Sequence, residues 1–118
     1  MGRPPRTFAE VVVAKLGIWK AGQAMKVIGV TTAWAVCLVL DGDDQRPTQV
    51  RLAEVYCKSQ PSVNRDLAAF RKAFPEEEDP HRIALVLAAD ISRRQAQALD
   101  RLDGLVMRAS MTPMAKLA

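Results

Sequence analysis

The stretch that decides the fold is Val50-Arg-Leu-Ala-Glu-Val-Tyr-Cys-Lys-Ser-Gln-Pro-Ser-Val-Asn-Arg-Asp-Leu-Ala-Ala-Phe70. It reads as a short helix, a tight turn and a second helix, spanning about residues 49 to 70. Ala53 is small where the second helix must cross close over the first. Val55, Tyr56, Val63 and Leu67 are the apolar positions that close the corner between them. Ser59 is a natural N-cap, because its hydroxyl can accept a hydrogen bond from a free amide of the first turn. Pro61 then falls in that first turn, where its missing N–H leaves no partner unsatisfied. The turn position that usually holds a left-handed glycine is taken by Cys57 or Lys58, at some conformational cost.

The face left over carries Gln60, Ser62, Asn64, Arg65 and Asp66, with Arg71 and Lys72 further along. Arginine can bond guanine bidentately, asparagine and glutamine can do the same to adenine, and serine serves either. The expectation is therefore a DNA-reading helix-turn-helix. Gln60, Pro61, Ser62, Asn64 and Arg65 are the candidates at base edges. Gln49, Lys58, Ser59, Arg71 and Lys72 are the candidates at phosphates, Ser59 through its backbone amide at a helix N-terminus. The alternative is an ordinary helical hairpin with a solvated polar face.

Charge agrees with a polyanionic partner. The chain has 118 residues, a net charge of +4 and a pI of about 9.4. From Arg46 to Lys72 the basic residues outnumber the acidic ones, and the acidic clusters lie to either side; phosphate contacts supply most non-specific affinity for DNA. Hydrophobic residues are 49% of the chain, enough for a modest core but not for an enzyme with a deep cleft. No nucleophile–histidine arrangement can be built around His81, the sole histidine, which reads as an exposed loop residue. No phosphate-binding glycine loop and no metal-ligand spacing is present, so no enzyme, cofactor or metal is expected. Cys37 and Cys57 read as two buried thiols of a reducing compartment. No run of eighteen apolar residues and no signal peptide is seen, so a cytoplasmic protein without a membrane partner is expected.

Outward from the motif, residues 1–6 read as a flexible basic arm, with Arg3 and Arg6 able to enter a minor groove. Thr7 should cap a helix from Phe8 that Gly22 bends and Gly29 ends. Thr31 or Thr32 should cap a second, core helix, Ala33 to Leu40. Thr48 or Gln49 opens the motif, and the helical domain closes at residue 74. Residues 75–81 read as an acidic hinge whose charges are solvated. Arg82-Ile-Ala-Leu-Val-Leu-Ala88 reads as a strand, and a lone strand needs a partner for its backbone. Asp90 or Ser92 then caps a helix to Ala109, with Leu99, Leu102, Leu105 and Val106 on its apolar stripe and Gly104 as a kink. The expected fold is mainly α: a helix-turn-helix domain, then a strand–helix dimerisation element over residues 82–109, then a flexible tail, 110–118.

From Ala35 to about Asp103 the chain resembles the KorA-type (TrfB) family of plasmid-encoded transcriptional repressors. The likeness is carried by Ala35-Val-Cys-Leu-Val-Leu-Asp-Gly42, the motif from Gln49 to Phe70, the break at Pro75, Arg82-Ile-Ala-Leu-Val-Leu, and Ser92 to Leu102. It implies a homodimer that binds a palindromic operator, represses promoters, sometimes beside other promoter-bound regulators, and pairs through the last strand and helix. Where the family has a Val-Ser-Gln-Ala-Val type sequence this chain has Val63-Asn-Arg-Asp-Leu67, so the operator sequence stays open. Val63 to Phe70 also resembles the recognition helix of DeoR-type winged helices, which need a two-stranded wing soon after. A helical adaptor that binds protein and no DNA is the reading from another class.

Overall fold

Thr7 opens the first helix by accepting a hydrogen bond from the Glu10 amide at 3.2 Å, and α1 runs Phe8–Leu16. The computed structural model describes residues 7–76 and 80–110; the basic arm, the hinge residues Glu77 to Asp79 and the tail beyond residue 110 lie outside the described residues. Among them the protein is mainly α-helical, with a 3-10 turn Ile18–Lys20 followed by α2 (Ala21–Asp41), α3 (Gln49–Tyr56), α4 (Gln60–Ala73) and α5 (His81–Ser110).

The first break differs from the sequence expectation. It falls at Gly17, whose φ of 77° few other residues adopt, and not at Gly22. From Ala21 the backbone then continues as one helix straight through Gly29, Thr31 and Thr32. Thr31 is buried inside that helix and returns its hydroxyl to the Val27 carbonyl at 2.7 Å instead of capping anything. A threonine can satisfy itself this way, which is why its presence did not mark a boundary. The helix stops at Gly42, left-handed at φ 68°, in the turn that the Asp41-Gly42 pair suggests.

Helix α2 is the spine of the core. It touches α1, α3 and α4, and Ala24, Val27, Val30, Ala33, Trp34, Ala35, Cys37 and Leu38 are buried along it. Val12, Phe70 and Phe74 close over its first half, with the Phe70 and Phe74 rings 5.1 Å apart and Phe8 stacked on Phe74 at 6.0 Å. By length and composition α2 also passes as a membrane span, which the expectation of no such stretch overlooked. Half of its most apolar window is buried inside the protein, as in the core helix of a bundle.

The expected strand is absent among the described residues. Arg82 to Ala88 are instead the opening turns of α5, which starts at His81 and needs no cap at Asp90 or Ser92 and makes no break at Gly104. Ala84 and Ala88 are buried, Ile83 packs on the core and Val86 is exposed, which is helical periodicity. A short apolar run has no period that separates strand from helix, and the helix bonds its own backbone. The backbone of this segment therefore needs no partner strand from a second copy. His81 is not an exposed loop residue but the half-buried first residue of α5. Its Nδ1 accepts from the Trp34 indole N–H at 3.0 Å. Indole can only donate, so the His81 proton sits on Nε2, 2.9 Å from the Asp44 carbonyl to which it donates. Arg46 lies over the same indole at 5.9 Å. This node ties the loop after α2 to α5. The chain divides into two compact units after Ala88.

Candidate nucleic-acid interface

Helices α3 and α4 form the pair read from the sequence, and each boundary has its local cause. Thr48 accepts from the Arg51 amide at 3.1 Å and opens α3. Cys57 ends it in the left-handed region at φ 56°, ψ 39°, the only described non-glycine residue with positive φ. The Cys57 and Lys58 amides bond the carbonyls of Glu54 and Ala53, each at 3.2 Å, which satisfies the helix end despite the missing glycine. Ser59 caps α4 by accepting from the Ser62 amide, and Pro61 lies in the first turn. Leu52, Val63 and Leu67 are the buried residues of the corner, with Ala53, Val55 and Tyr56 half-buried beside them.

A polar clamp holds the corner shut. The Tyr56 hydroxyl donates to Asp66 Oδ2 at 2.6 Å, and Lys58 Nζ donates to that same oxygen and to the hydroxyl, each at 3.1 Å. The Lys58 ammonium also lies 4.4 Å from the Tyr56 ring centre. Burial and donation to Asp66 push the Tyr56 hydroxyl above its ordinary pKa, and the bonds to Tyr56 and Asp66 push Lys58 up. Gly29 of α2 completes the seat. A Cβ built there would lie 2.5 Å from the Tyr56 hydroxyl oxygen and 3.2 Å from two ring carbons. Gly29 is thus a point of close approach and not a helix terminator.

Two sequence assignments change as a result. Asp66 does not belong to the reading face: its side chain is 5% exposed and turned into the clamp. Lys58 is half-exposed but committed to that carboxylate, so its charge is largely answered within the protein. Arg51 is likewise engaged, with Nη2 2.8 Å from Asp41 Oδ1 and Nη1 3.4 Å from Glu54. Cys57 is exposed, contrary to the expectation of two buried thiols. Cys37 is buried, and burial raises its thiol pKa.

Of the other candidates on α4, all but Ser62 lie together, and Ser62 falls on the side of buried Ala69 and Ala73, contrary to its expected place on the reading face. On α4 the exposed residues are Gln60, Pro61, Asn64, Arg65, Ala68, Arg71 and Lys72. At about 100° per residue they fill one continuous arc about 140° wide, and Val63, Asp66, Leu67, Ala69, Phe70 and Ala73 fill the opposite side. Gln49, on α3, donates to Asn64 Oδ1 at 2.9 Å and so fixes that amide from the neighbouring helix. Asn64 keeps its NH₂ group and a second lone pair on Oδ1 for a bidentate partner. Ser62 is half-buried, and its hydroxyl accepts from Ser59 Oγ at 3.0 Å and Arg65 Nη2 at 3.1 Å. Arg71 and Lys72 stand exposed in the last turn, where they also oppose the helix dipole. Ala68 was not singled out from the sequence. It lies near the middle of the arc, where a small apolar side chain allows close approach and can meet a thymine methyl group. Its signal was the spacing Asn64–Ala68–Arg71.

Among the described residues no group of histidine, cysteine, aspartate or glutamate is placed to hold a metal ion. No family model matches the chain, and comparisons with curated proteins and with solved structures find no match.

Proposed function

We propose that this protein is a sequence-specific double-stranded DNA-binding repressor, acting as a cytoplasmic homodimer on a palindromic operator. One observation carries the reading. Every exposed residue of α4 is neutral, small or cationic, while the helix's single carboxylate, Asp66, is turned inward and locked. A groove lined by phosphates repels an outward carboxylate and accepts this face. Asn64, Arg65 and Gln60 supply the donors and acceptors for base edges, Ser62 steadies the Arg65 guanidinium from beside the face, and Pro61 and Ala68 supply apolar contact. Gln49, Ser59, Arg71 and Lys72 serve phosphates, with Lys58 contributing little beyond the clamp. Repression follows from occupying DNA that RNA polymerase also needs. A plasmid origin and assembly beside other promoter-bound regulators rest on the resemblance to the KorA-type repressors alone. No catalytic role is proposed.

Titration of the full chain against duplex DNA at several salt concentrations tests this. Affinity is expected to fall linearly on log–log axes as counterions are released. A flat profile, or no binding at low salt, would leave a protein-binding helical adaptor in its place.

A further inference from the structure

The second unit offers an interface whose pattern fits a copy of itself. Within α5, Leu99, Leu102, Leu105 and Val106 are each more than half exposed, at 61%, 56%, 57% and 63%. They share one stripe with Ala98 and with Ile91, which is half-buried. In heptad terms, Gln95 and Leu102 occupy the a positions and Ile91, Ala98 and Leu105 the d positions. Arg94, Arg101 and Arg108 recur at intervals of seven residues along the g edge. The opposite edge, e, carries Leu99 and Val106, with Asp103 just behind it.

We infer that α5 pairs with α5 of a second copy as a parallel, in-register, two-stranded coil over about Ile91 to Val106. This rests on the homodimer reading above and specifies its geometry. Two features choose the occupant and the direction. In a parallel pair each g edge faces the partner's e edge, so the stems of Arg94 and Arg101 cover Leu99 and Val106 and the Arg101 head approaches Asp103, while Arg94 keeps its ion pair with Asp90 of its own helix at 3.1 Å. In an antiparallel pair g faces g, which sets one row of arginines against another. The polar layer makes the same choice. Parallel register places the two Gln95 side chains opposite each other, where each amide can both donate and accept. Antiparallel register sets Gln95 against an apolar d residue and strands its amide. A hydrophobic partner of unrelated sequence satisfies neither feature.

The test uses the full-length protein without DNA. Light scattering should give a mass of two chains, twice 13.0 kDa. Leu102→Asp should halve that mass while the helical circular dichroism of the first unit persists. Gln95→Cys and Leu102→Cys, each with Cys57→Ser to remove the exposed thiol, should both form disulfide-linked dimers on mild oxidation. A parallel in-register pair brings both positions against themselves. An antiparallel pair can do so for at most one, since the two sites are about 10 Å apart along the helix. A monomeric or four-chain mass, linkage at only one site, or linkage only between the two variants when mixed would overturn the proposal. A protein that cross-links as expected yet ignores DNA would overturn the DNA reading and leave this one standing.

Discussion

Replacing Gly29 with alanine should destabilise the protein, although alanine is the better helix former. By propensity alone the change favours the helix by about 0.8–1 kcal/mol. The new Cβ would lie 2.5 Å from the Tyr56 hydroxyl oxygen, so the ring must move. A tyrosine free in solvent would swing aside at little cost. This one is held by Asp66 at 2.6 Å and by Lys58 at 3.1 Å. Moving it forfeits a hydrogen bond to a charged group, about 1.5–3 kcal/mol, and overpacking adds about 1–3 kcal/mol. The net expectation is a loss of about 1.5–5 kcal/mol after the propensity gain. Urea unfolding by circular dichroism measures it, with an unchanged m-value as the check that only the native state is affected. The double-mutant cycle with Tyr56→Phe isolates the cause. In that background the hydroxyl is absent and only the ring carbons at 3.2 Å remain. Gly29→Ala should then be nearly neutral or slightly stabilising. If Gly29→Ala stabilises the wild-type protein by its full propensity gain, Tyr56 is not seated against α2, and the clamp that turns Asp66 inward is misassigned.

Three further outcomes follow from named groups. Tyr56 and Lys58 bind their protons more tightly in the fold than in the unfolded chain, so the stability they contribute is fully present below about pH 10 and is lost as pH rises through their elevated values. The urea midpoint should therefore hold up to about pH 10 and fall only above it, and Tyr56→Phe should flatten that fall. Arg65→Ala should weaken binding to the selected site by about 1–3 kcal/mol and relax one base position, whereas Lys72→Ala should weaken all DNA alike and lower the salt slope by about one; equal losses on random and selected DNA from both would contradict the base-reading role. Cys57 should react at once with a maleimide and Cys37 only on unfolding, and labelling of both in the native state would contradict the packing of α2.

The parts of this fold that were legible in the sequence are those set by neighbouring residues. Thr48, Ser59 and Pro61 declare helix starts because a cap acts within one turn, and Cys57 takes the left-handed position because the chain must reverse between Tyr56 and Ser59. What escaped depends on residues far away in the chain. Gly29 looks like a terminator until Tyr56, which is remote in sequence, is found against it. Asp66 lies at a helical position next to exposed Arg65 and reads as surface until its partners Tyr56 and Lys58 are known. His81 follows an acidic run and reads as solvated, yet Trp34 holds it. The apolar run Ile83 to Ala88 fits a strand as well as a buried helix, and only the packing of Ile83 against the core and the burial of Ala84 decide between them. Most of the reading face itself was visible, because exposed polar residues on α4 follow from the positions of Val63, Leu67 and Phe70 alone.

Selection of binding sites from a pool of random duplexes tests the central claim most directly. If the outward arc of α4 enters a DNA groove twice in one dimer, the enriched sequences will be two-fold symmetric, with half-site centres about one helical turn apart or a multiple of it. Enrichment of no sequence, from a pool the protein binds or fails to bind, would contradict it.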